Sequence, residues 1–523
     1  MLLLLPLVAG TRVPVRLRMD LGVGGDEEGR RRGLALPFPR RSPMRLVPLL
    51  VLAACTAGKP DDGPTAGGDD TGGPAAPVES CGYTAAEDLD PGEDVVEVDL
   101  RASAHAWDPG TGVPLETGLA FNEQVPGPLL AATRGDTLRV NFTNDTDADL
   151  TIHWHGLRAA PEMDGVMQMM DPVAPGETFT YELALQDSGA YWYHPHMSGD
   201  TVLERGLYGA ILVREPGEGR ADFELPLVLD DVLLDADGQI EPQGTEEERT
   251  MGRLGSVLLA NGASGRRIEV TQGQTMLLRL VNASNARIWD LRLEGHTFTV
   301  VATDGGFLAE PYEVENLVLV PGERYVVLVE ATGEPGAEYR RLNARVPLHE
   351  AGEHHGGGKM ETDPLGEGEN PVLSFVYAKG SVTRTPWVQP TADVPGWDGA
   401  TATFGHQWVL EENAMDGSVT IDGEAWPEVT PAIVAGNVET TFEVVDETMM
   451  HHPFHLHGNR FQIVAVEGVA PSAPPGWKDT RDAPPMSTLT VVSALDIPGE
   501  WMAHCHILEH AEDGMAALLT VQA

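Results

Sequence analysis

The sequence lacks any long apolar run, has few basic residues and contains only three cysteines among its 523 residues. A helix needs about 20 apolar residues to cross a bilayer, so we expect no transmembrane helix. The 34 basic residues are outnumbered by 80 acidic residues, which leaves a formal net charge of −46. Such a surface repels the phosphates of nucleic acids and anionic lipid headgroups. We therefore expect no nucleic-acid partner.

Long helical heptads are also absent, whereas 59 glycines and 40 prolines indicate many turns. Alternation of apolar and polar residues predicts short strands at 95–100, 137–142, 267–270, 275–281, 297–301 and 325–330. A third β-rich block extends from about Val382 to the end of the sequence. This pattern of short strands and turns occurs three times along the chain, and a domain usually has about 100–200 residues. We therefore predict an all-β protein with three related sandwiches.

The first 90 residues are not typical of a folded domain. Basic residues at positions 40, 41 and 45 precede an apolar run that ends in Leu52-Ala53-Ala54-Cys55. This region (1–55) resembles a bacterial lipoprotein signal, which predicts a start at Met44, acylation of Cys55 and export to the cell envelope, as a periplasmic or outer-membrane lipoprotein. A twin-arginine signal and an ordinary secretory peptide are the alternatives. The acidic, Gly- and Pro-rich residues 56–90 predict a flexible tether.

The three cysteines have different expected roles. Cys55 lies in the signal and Cys505 lies in a histidine motif near the end of the chain. Cys81 therefore has no evident partner. If Cys55 is not acylated, Cys55 and Cys81 can form a disulfide in an oxidising compartment.

Four short motifs contain ten of the 17 histidines. Residues i and i+2 of a strand point to the same side, so each His-x-His pair offers two imidazoles to one face. Eight such imidazoles can share three metal ions and leave positions open for oxygen, and imidazole suits copper, zinc and iron. The four pairs are His153/His155, His194/His196, His455/His457 and His504/His506.

Cys505 lies between two of these histidines and therefore points to the opposite face of its strand. Its thiolate can bind a separate metal ion there, with His452 and His510 as further ligands and Met515 as a weak axial ligand. A His₂Cys site with a distant methionine is typical of blue copper in electron transfer. The tripeptide His504-Cys505-His506 would then connect the two sites covalently. Zinc fits less well, because structural zinc sites close at four ligands.

The four motifs resemble those of the multicopper oxidases, which include laccases and cuprous oxidases, and the resemblance extends from about residue 95 to the end. It implies three consecutive cupredoxin-like Greek-key β-sandwich domains, which we place at 91–218, 219–381 and 382–523. It also implies four copper ions, one of type 1, one of type 2 and two of type 3, the last three lying between the first and third domains. The implied reaction couples one-electron oxidation of a donor to four-electron reduction of dioxygen to water.

The resemblance also implies a ligand set for each copper ion. Type 1 copper would be held by His452, Cys505, His510 and Met515, and electrons would enter through an exposed edge of His452. Type 2 copper would be held by His153 and His455. The two type 3 ions would be held by His155, His194 and His506, and by His196, His457 and His504.

Reduction of dioxygen also requires protons. Asp164 lies eleven residues after His153, where members of the family carry an acid near the cluster, and the resemblance assigns it proton supply or water orientation. A second acid usually follows the last type 1 histidine. That position is Ala511 here, so Glu509 and Glu512 are the candidates to replace it.

The electron donor is less well determined than the copper sites. A laccase-like oxidase of phenols and aromatic amines is the first prediction, because the long methionine-rich insert of dedicated cuprous oxidases is missing. A cuprous oxidase is the alternative, since Met450 lies two residues before His452 and thioethers suit Cu(I). Thr448 stands where cuprous oxidases carry an acid. A copper-binding envelope protein without turnover would have the same motifs.

Further methionines and histidines could add ligands for Cu(I). They are Met163, Met167, Met169 and Met170 in one group, and His354, His355 and Met360 in another. Packing or a mobile loop is the simpler explanation for each group.

Overall fold

The computed structural model describes residues 78–79, 83–90, 92, 94–241, 245–348, 363–366, 368–384, 386–392, 394–413 and 417–523. The predicted export signal with Cys55, most of the tether, and Cys81 lie outside these residues. Within the described part of the chain, no helix is long and apolar enough to cross a membrane. The described residues form six β-sheets and only short helices, so the all-β prediction is confirmed.

The first sandwich is built from two four-stranded sheets, ordered β3-β2-β5-β7 and β4-β9-β8-β6. A short strand that precedes it, β1 (Val78–Glu79), pairs in parallel with the middle sandwich. The other strands are β2 (Val95–Ala104), β3 (Leu119–Phe121), β4 (Gly127–Thr133), β5 (Thr137–Asp145), β6 (Ile152–His155), β7 (Thr178–Ala184), β8 (Gly189–Pro195) and β9 (Gly209–Arg214).

The middle sandwich has two six-stranded sheets, ordered β1-β12-β20-β19-β14-β17 and β11-β10-β13-β18-β15-β16. Its strands are β10 (Phe223–Val232), β11 (Val257–Ala260), β12 (Arg266–Gln272), β13 (Thr275–Asn282), β14 (Trp289–Leu293), β15 (Phe298–Thr303), β16 (Gly306–Val314), β17 (Asn316–Leu319), β18 (Arg324–Glu330), β19 (Glu338–Arg345) and β20 (Glu369–Ser381).

The last sandwich has two five-stranded sheets, ordered β22-β21-β24-β28-β26 and β23-β30-β29-β25-β27. Its strands are β21 (Thr403–Glu412), β22 (Val419–Ile421), β23 (Ala432–Ala435), β24 (Thr440–Asp446), β25 (His452–Leu456), β26 (Phe461–Val466), β27 (Thr480–Ala483), β28 (Thr488–Ser493), β29 (Gly499–Cys505) and β30 (Ala516–Gln522).

The helices are short and lie close to the histidine motifs. They are a 3₁₀ turn (Pro161–Met163), α1 (Gly199–Glu204), α2 (Glu246–Met251) and α3 (Leu508–Glu512). Helix α1 follows His196 and packs against α3, which carries His510. The backbone oxygen of Thr250 in α2 lies 2.9 Å from Nε2 of His510.

All six strands predicted at named positions are present, with ends that differ by a few residues. Strand β5 shows why the alternation of apolar and polar residues predicted these strands. Leu138, Val140 and Phe142 are fully buried on one face, whereas the residues between them are half-buried. A strand that covers one side of a core alternates in this way, because successive side chains point to opposite faces.

The apolar cores of the three sandwiches are distinct, but the middle sandwich also contributes to its neighbours. Its Leu254, Ala286 and Leu348 are buried in the core that surrounds Cys505. Val281 and Ala283 belong to the core of the first sandwich. In the described chain no strand spans the predicted boundaries at 218/219 and 381/382, which stay predictions.

Candidate metal centres

Two antiparallel strand pairs carry the four His-x-His motifs. In the first sandwich β6 pairs with β8, which places His153 directly opposite His194. In the last sandwich β25 pairs with β29, which places His455 opposite His504. Because alternate residues share a face, each pair of strands presents its imidazoles together on one side.

The two sets of imidazoles face each other across a buried space. The ring of His155 stacks on that of His455 with centroids 3.8 Å apart, and the rings of His153 and His457 are 4.0 Å apart. The ring of His196 lies 5.4 Å from His504. The tertiary structure therefore brings together all eight predicted imidazoles, including His194 and His506, whose rings are 5.8 Å apart.

The unsatisfied nitrogens of these rings test whether the site fits a metal. Buried polar atoms normally have a hydrogen-bond partner. Here many ring nitrogens are buried without one, and ligand atoms of each of several triads approach one another within 4.8 Å. The unpartnered atoms are His153 Nε2, His155 Nδ1, His194 Nε2, His455 Nε2 and both ring nitrogens of His506. The triads are His153/His455/His457, His153/His155/His194 and His196/His457/His504.

Burial lowers the pKa of seven of these rings: His155, His194, His196, His455, His457, His504 and His506. The pKa of His506 falls to about 3. Burial and the neighbouring His153 lower the pKa of His457 to about 4, although Asp164 opposes this. At neutral pH these seven rings are therefore uncharged and have a lone pair available for a metal ion. The residues fit a cluster of imidazole-bound metal ions.

A second group of ligands lies on the other face of β29. Atoms of His452, Cys505 and His510 approach one another within 4.8 Å, and all three side chains are buried. The Cys505 Sγ and His510 Nδ1 atoms are 3.9 Å apart. Burial raises the pKa of the Cys505 thiol, so a bound cation is needed to hold it as a thiolate. Met515 is fully buried in the same core.

The expected exposed edge of His452 is not present. The His452 side chain is buried, and its Nδ1 lies 2.9 Å from Asp446 Oδ2 and 3.3 Å from Thr448 Oγ1. The backbone of His452 pairs with that of Ala483 in β27, the neighbouring edge strand of the sheet. Met450 is also fully buried and donates its backbone N–H to Thr448 Oγ1. Donors therefore do not reach His452 or Met450 directly from the surface of this conformation.

Asp164 lies against the cluster, as predicted. Its Oδ2 is 2.7 Å from Nδ1 of His457, and its backbone oxygen is 2.8 Å from Nδ1 of His153. Burial acts to raise the pKa of Asp164, but His457 and His153 outweigh it and hold that pKa below its ordinary value. A buried carboxylate thus orients two imidazoles and leaves Oδ1 without a hydrogen-bond partner.

The two acids considered in place of Ala511 have different environments. Glu509 is buried, and its Oε1 accepts a hydrogen bond of 2.9 Å from Asn285 Nδ2. Burial raises the pKa of Glu509 to about 8. Glu512 is more exposed and its Oε1 accepts the backbone N–H of Gly199 at 2.7 Å, three residues after His196.

The middle sandwich contributes residues that the sequence motifs did not reveal. Arg324 is fully buried and forms two hydrogen bonds to Asp479, of 2.5 and 2.6 Å. Asp479 Oδ1 lies 3.2 Å from Nε2 of His155 and 3.6 Å from Nδ1 of His455. The neighbouring Thr480 Oγ1 is 2.9 Å from the same atom of His155. A charged pair between sandwiches therefore holds two of the cluster imidazoles.

Gly322 shows how closely the middle sandwich approaches the cluster. Its φ of +85° lies in the left-handed region, and a Cβ atom there would lie 2.9 Å from His506 and 3.0 Å from His155. Only glycine fits both the conformation and the space. The sequence signal for Gly322, Arg324 and Asp479 is weak, because none lies near a histidine motif.

The additional methionines and histidines do not form a described metal site. Met163 and Met170 pack against the core of the first sandwich, and Met169 packs beside Val166. Met167 is 48% exposed. His354, His355 and Met360 lie outside the described residues.

Comparison with known proteins agrees with this geometry. Profiles described as multicopper oxidase match residues 105–218, 211–352 and 403–523. The multicopper oxidase MmcO of Mycobacterium tuberculosis is 30% identical over 445 residues, which cover 78% of this chain and 84% of that protein.

Solved structures show the same fold. The McoA multicopper oxidase of Aquifex aeolicus has a TM-score of 0.73 and 26% identity, covering 86% of this chain and 100% of that chain. A laccase-like multicopper oxidase of Ochrobactrum sp., described as active on lignin model compounds and lignosulfonate, has a TM-score of 0.71 and 25% identity over 85% of this chain and 100% of its own. With its two buried ligand groups on opposite faces of one strand, this chain belongs to the multicopper oxidase family, whose members are oxygen-dependent oxidoreductases that bind copper.

Proposed function

We propose that the protein is a laccase-like multicopper oxidase, which takes electrons from phenols and aromatic amines and binds four copper ions. One observation carries the proposal. Two buried ligand groups lie on opposite faces of β29 and are joined by the tripeptide His504-Cys505-His506. An electron accepted at Cys505 has a short covalent route to either neighbouring histidine.

The ligand groups support the assignment of one copper ion to the group around Cys505 and of three to the imidazole cluster. His452, Cys505, His510 and Met515 would hold type 1 copper, because a thiolate with two imidazoles suits electron transfer. The eight remaining imidazoles would hold three ions, with His153 and His455 at type 2 copper. His155, His194 and His506 would hold one type 3 ion, and His196, His457 and His504 the other. Bound copper supplies the redox chemistry, accepting single electrons and reducing dioxygen to water with four of them.

The chain's own residues perform the remaining tasks. Asp479 and Thr480 orient His155 and His455. Asp164 orients His153 and His457, and we assign it the handling of protons next to the cluster. The surrounding buried side chains exclude bulk water, which strengthens each of these electrostatic contacts.

The choice of donor rests on burial and on one relative. Met450 is fully buried, so its sulfur is not available to Cu(I) from solution. This weakens the alternative of a cuprous oxidase. The Ochrobactrum relative is described as active on lignin model compounds, which supports aromatic donors for this chain.

Oxygen uptake by the copper-loaded protein tests the donor class. We expect uptake with a methoxyphenol to exceed uptake with Cu(I) measured in parallel, because the Met450 side chain next to His452 is buried. Faster uptake with Cu(I) would instead identify a metal oxidase. Full copper loading without uptake from either donor would indicate a copper-holding protein.

Cys505→Ser tests the connection between the two sites. The variant is expected to lose the blue absorbance and all turnover, because the thiolate and the covalent electron route disappear together. Visible absorbance and oxygen uptake measure the two effects, and thermal unfolding serves as the check on the fold. A variant that stays blue would contradict the type 1 assignment.

Asp164→Asn tests the role of the carboxylate. We expect reoxidation of the reduced enzyme by dioxygen to slow by about 10²-fold or more, which is the usual contribution of general acid–base catalysis. Anaerobic reduction of the blue site, followed by stopped-flow absorbance, should keep its rate. Asp149→Asn, at an exposed position of the same sandwich, is the matched control. An unchanged reoxidation rate in the variant would remove Asp164 from the mechanism.

Arg324→Lys tests the contribution of the middle sandwich. Lysine keeps the charge but cannot make the two parallel hydrogen bonds to Asp479. Because residues that orient metal ligands typically contribute about 10–100-fold to metal affinity, we expect weaker copper binding in the cluster. The blue absorbance, which arises on the other face of β29, should remain.

Copper content after dialysis against a chelator, together with the type 2 signal in electron paramagnetic resonance, measures this effect. Arg340→Lys, in an exposed pair with Glu294, provides the control. Equal copper retention in both variants would show that the Arg324–Asp479 pair only stabilises the fold.

A further inference from the structure

We propose that a cavity between the middle and last sandwiches binds the electron donor and favours aromatic donors that carry an acidic group. This inference rests on the proposed laccase-like function and names a subclass of its substrates. The cavity has a volume of about 770 Å³. Sites for small organic molecules usually have about 300–1,000 Å³ and lie preferentially between domains.

The walls of the cavity suit an aromatic ring. Tyr312 and Tyr325 come from the middle sandwich, and Trp397 comes from the segment that precedes β21. The ring of Trp397 meets that of Trp477 edge-on at 5.1 Å, which restrains it. The rest of the lining is mostly apolar and includes Val469, which is 70% exposed at the rim. Ring faces and edges of this kind are favourable partners for another aromatic group.

Two cationic side chains also line the cavity, and they differ in how many of their hydrogen-bond donors are already paired. Lys478 is buried and already paired, with Nζ 3.0 Å from Asp304 and 2.8 Å from Glu323. The guanidinium of Arg481 is paired less closely, since its Nη1 lies 3.5 Å from the same Glu323 oxygen. Its Nε has no hydrogen-bond partner but is itself buried. The Arg481 side chain is 34% exposed, so it is accessible from the cavity.

A guanidinium with free donors fits a carboxylate or a sulfonate, which can accept two parallel hydrogen bonds. One acid also lines the cavity, but the Asp398 carboxylate accepts the backbone N–H of Ala400. The chain as a whole carries a charge of −46 and repels anions at long range. A local cation is therefore needed to hold an anionic donor.

The strand register connects this cavity to the type 1 site. Arg481 in β27 pairs with Phe454 in β25, and Phe454 pairs with Cys505 in β29. Neighbouring strands are about 4.8 Å apart, so the backbones of Arg481 and Cys505 are separated by about 10 Å. A donor held by Arg481 would thus be bound by a residue two strands from the thiolate ligand, without touching His452, which is buried.

The test compares a phenolic acid with its own ester. Steady-state oxygen uptake is measured with syringate and with methyl syringate for the wild type and for Arg481→Gln. We expect the variant to raise the KM for syringate about tenfold or more, which is the typical effect of losing a charged hydrogen bond. The kcat should change less than about twofold, since the copper ligands are unaltered. The KM for the ester should stay within the same margin.

Arg101→Gln, at an exposed position paired with Asp145, is the matched control and should change neither KM. Equal effects of Arg481→Gln on both donors, or no effect on either, would overturn the acidic-donor inference. A wild type that oxidises neither donor would instead refute the proposed function.

A second variant tests the cavity without altering charge. Val469→Trp places a large ring at the exposed rim, where the fold should tolerate it. It is expected to raise the KM for syringate and for its ester together by about fivefold or more, as a partly blocked pocket would. Blue absorbance at wild-type strength confirms that the fold and copper sites are intact. An unchanged KM for both donors in that intact variant would exclude this cavity as the donor site.

Discussion

Eight imidazoles share one buried space between the first and last sandwiches, and the neighbouring structure keeps them oriented. Burial lowers the pKa of seven of them, so protons do not compete for the nitrogens of those seven at neutral pH. Unpaired ring nitrogens are costly in such a place, unless a bound cation satisfies them. The arrangement of unpaired ring nitrogens therefore fits a protein that holds copper ions at this place.

The middle sandwich has no histidine motif, yet the cluster depends on it. Arg324 neutralises Asp479, which would otherwise be a lone buried carboxylate beside His155 and His455. Removing one partner of a buried ion pair typically costs about 3–5 kcal/mol, because the other charge stays unpaired. Gly322 leaves room on the same side of the cluster, where a Cβ atom would approach His506 and His155 within 3.0 Å. The middle sandwich thus supports the cluster through the Arg324–Asp479 ion pair and through the small residue at Gly322.

The proposed type 1 site is closed towards the surface in a way that bears on the choice of donor. The His452 side chain is buried, and the backbone oxygen of Thr250 in α2 lies 2.9 Å from Nε2 of His510. The proposed donor site therefore lies beside Arg481 rather than over the histidine edge. The register of Arg481, Phe454 and Cys505 places that site two strand spacings from the thiolate ligand.

The strands and the motifs of candidate metal ligands could be predicted from the sequence alone, because both depend on the local alternation of side chains. In β5, and in each His-x-His motif, neighbours two residues apart share a face whatever surrounds them. The same alternation predicted that Cys505 points to the opposite face of its strand from His504 and His506. The resemblance to multicopper oxidases implied an acid near the cluster at Asp164, and the structure supplied its contacts with His153 and His457.

Only the tertiary structure decided which groups orient those ligands and how a donor can approach them. Asp479 is 155 residues from Arg324 along the chain, and Gly322 is 184 residues from His506, so no local pattern relates them. The structure also buries the His452 side chain, contrary to the expectation of an exposed edge. Such contacts depend on the packing of three sandwiches, whereas the motifs depend only on the direction of side chains along one strand.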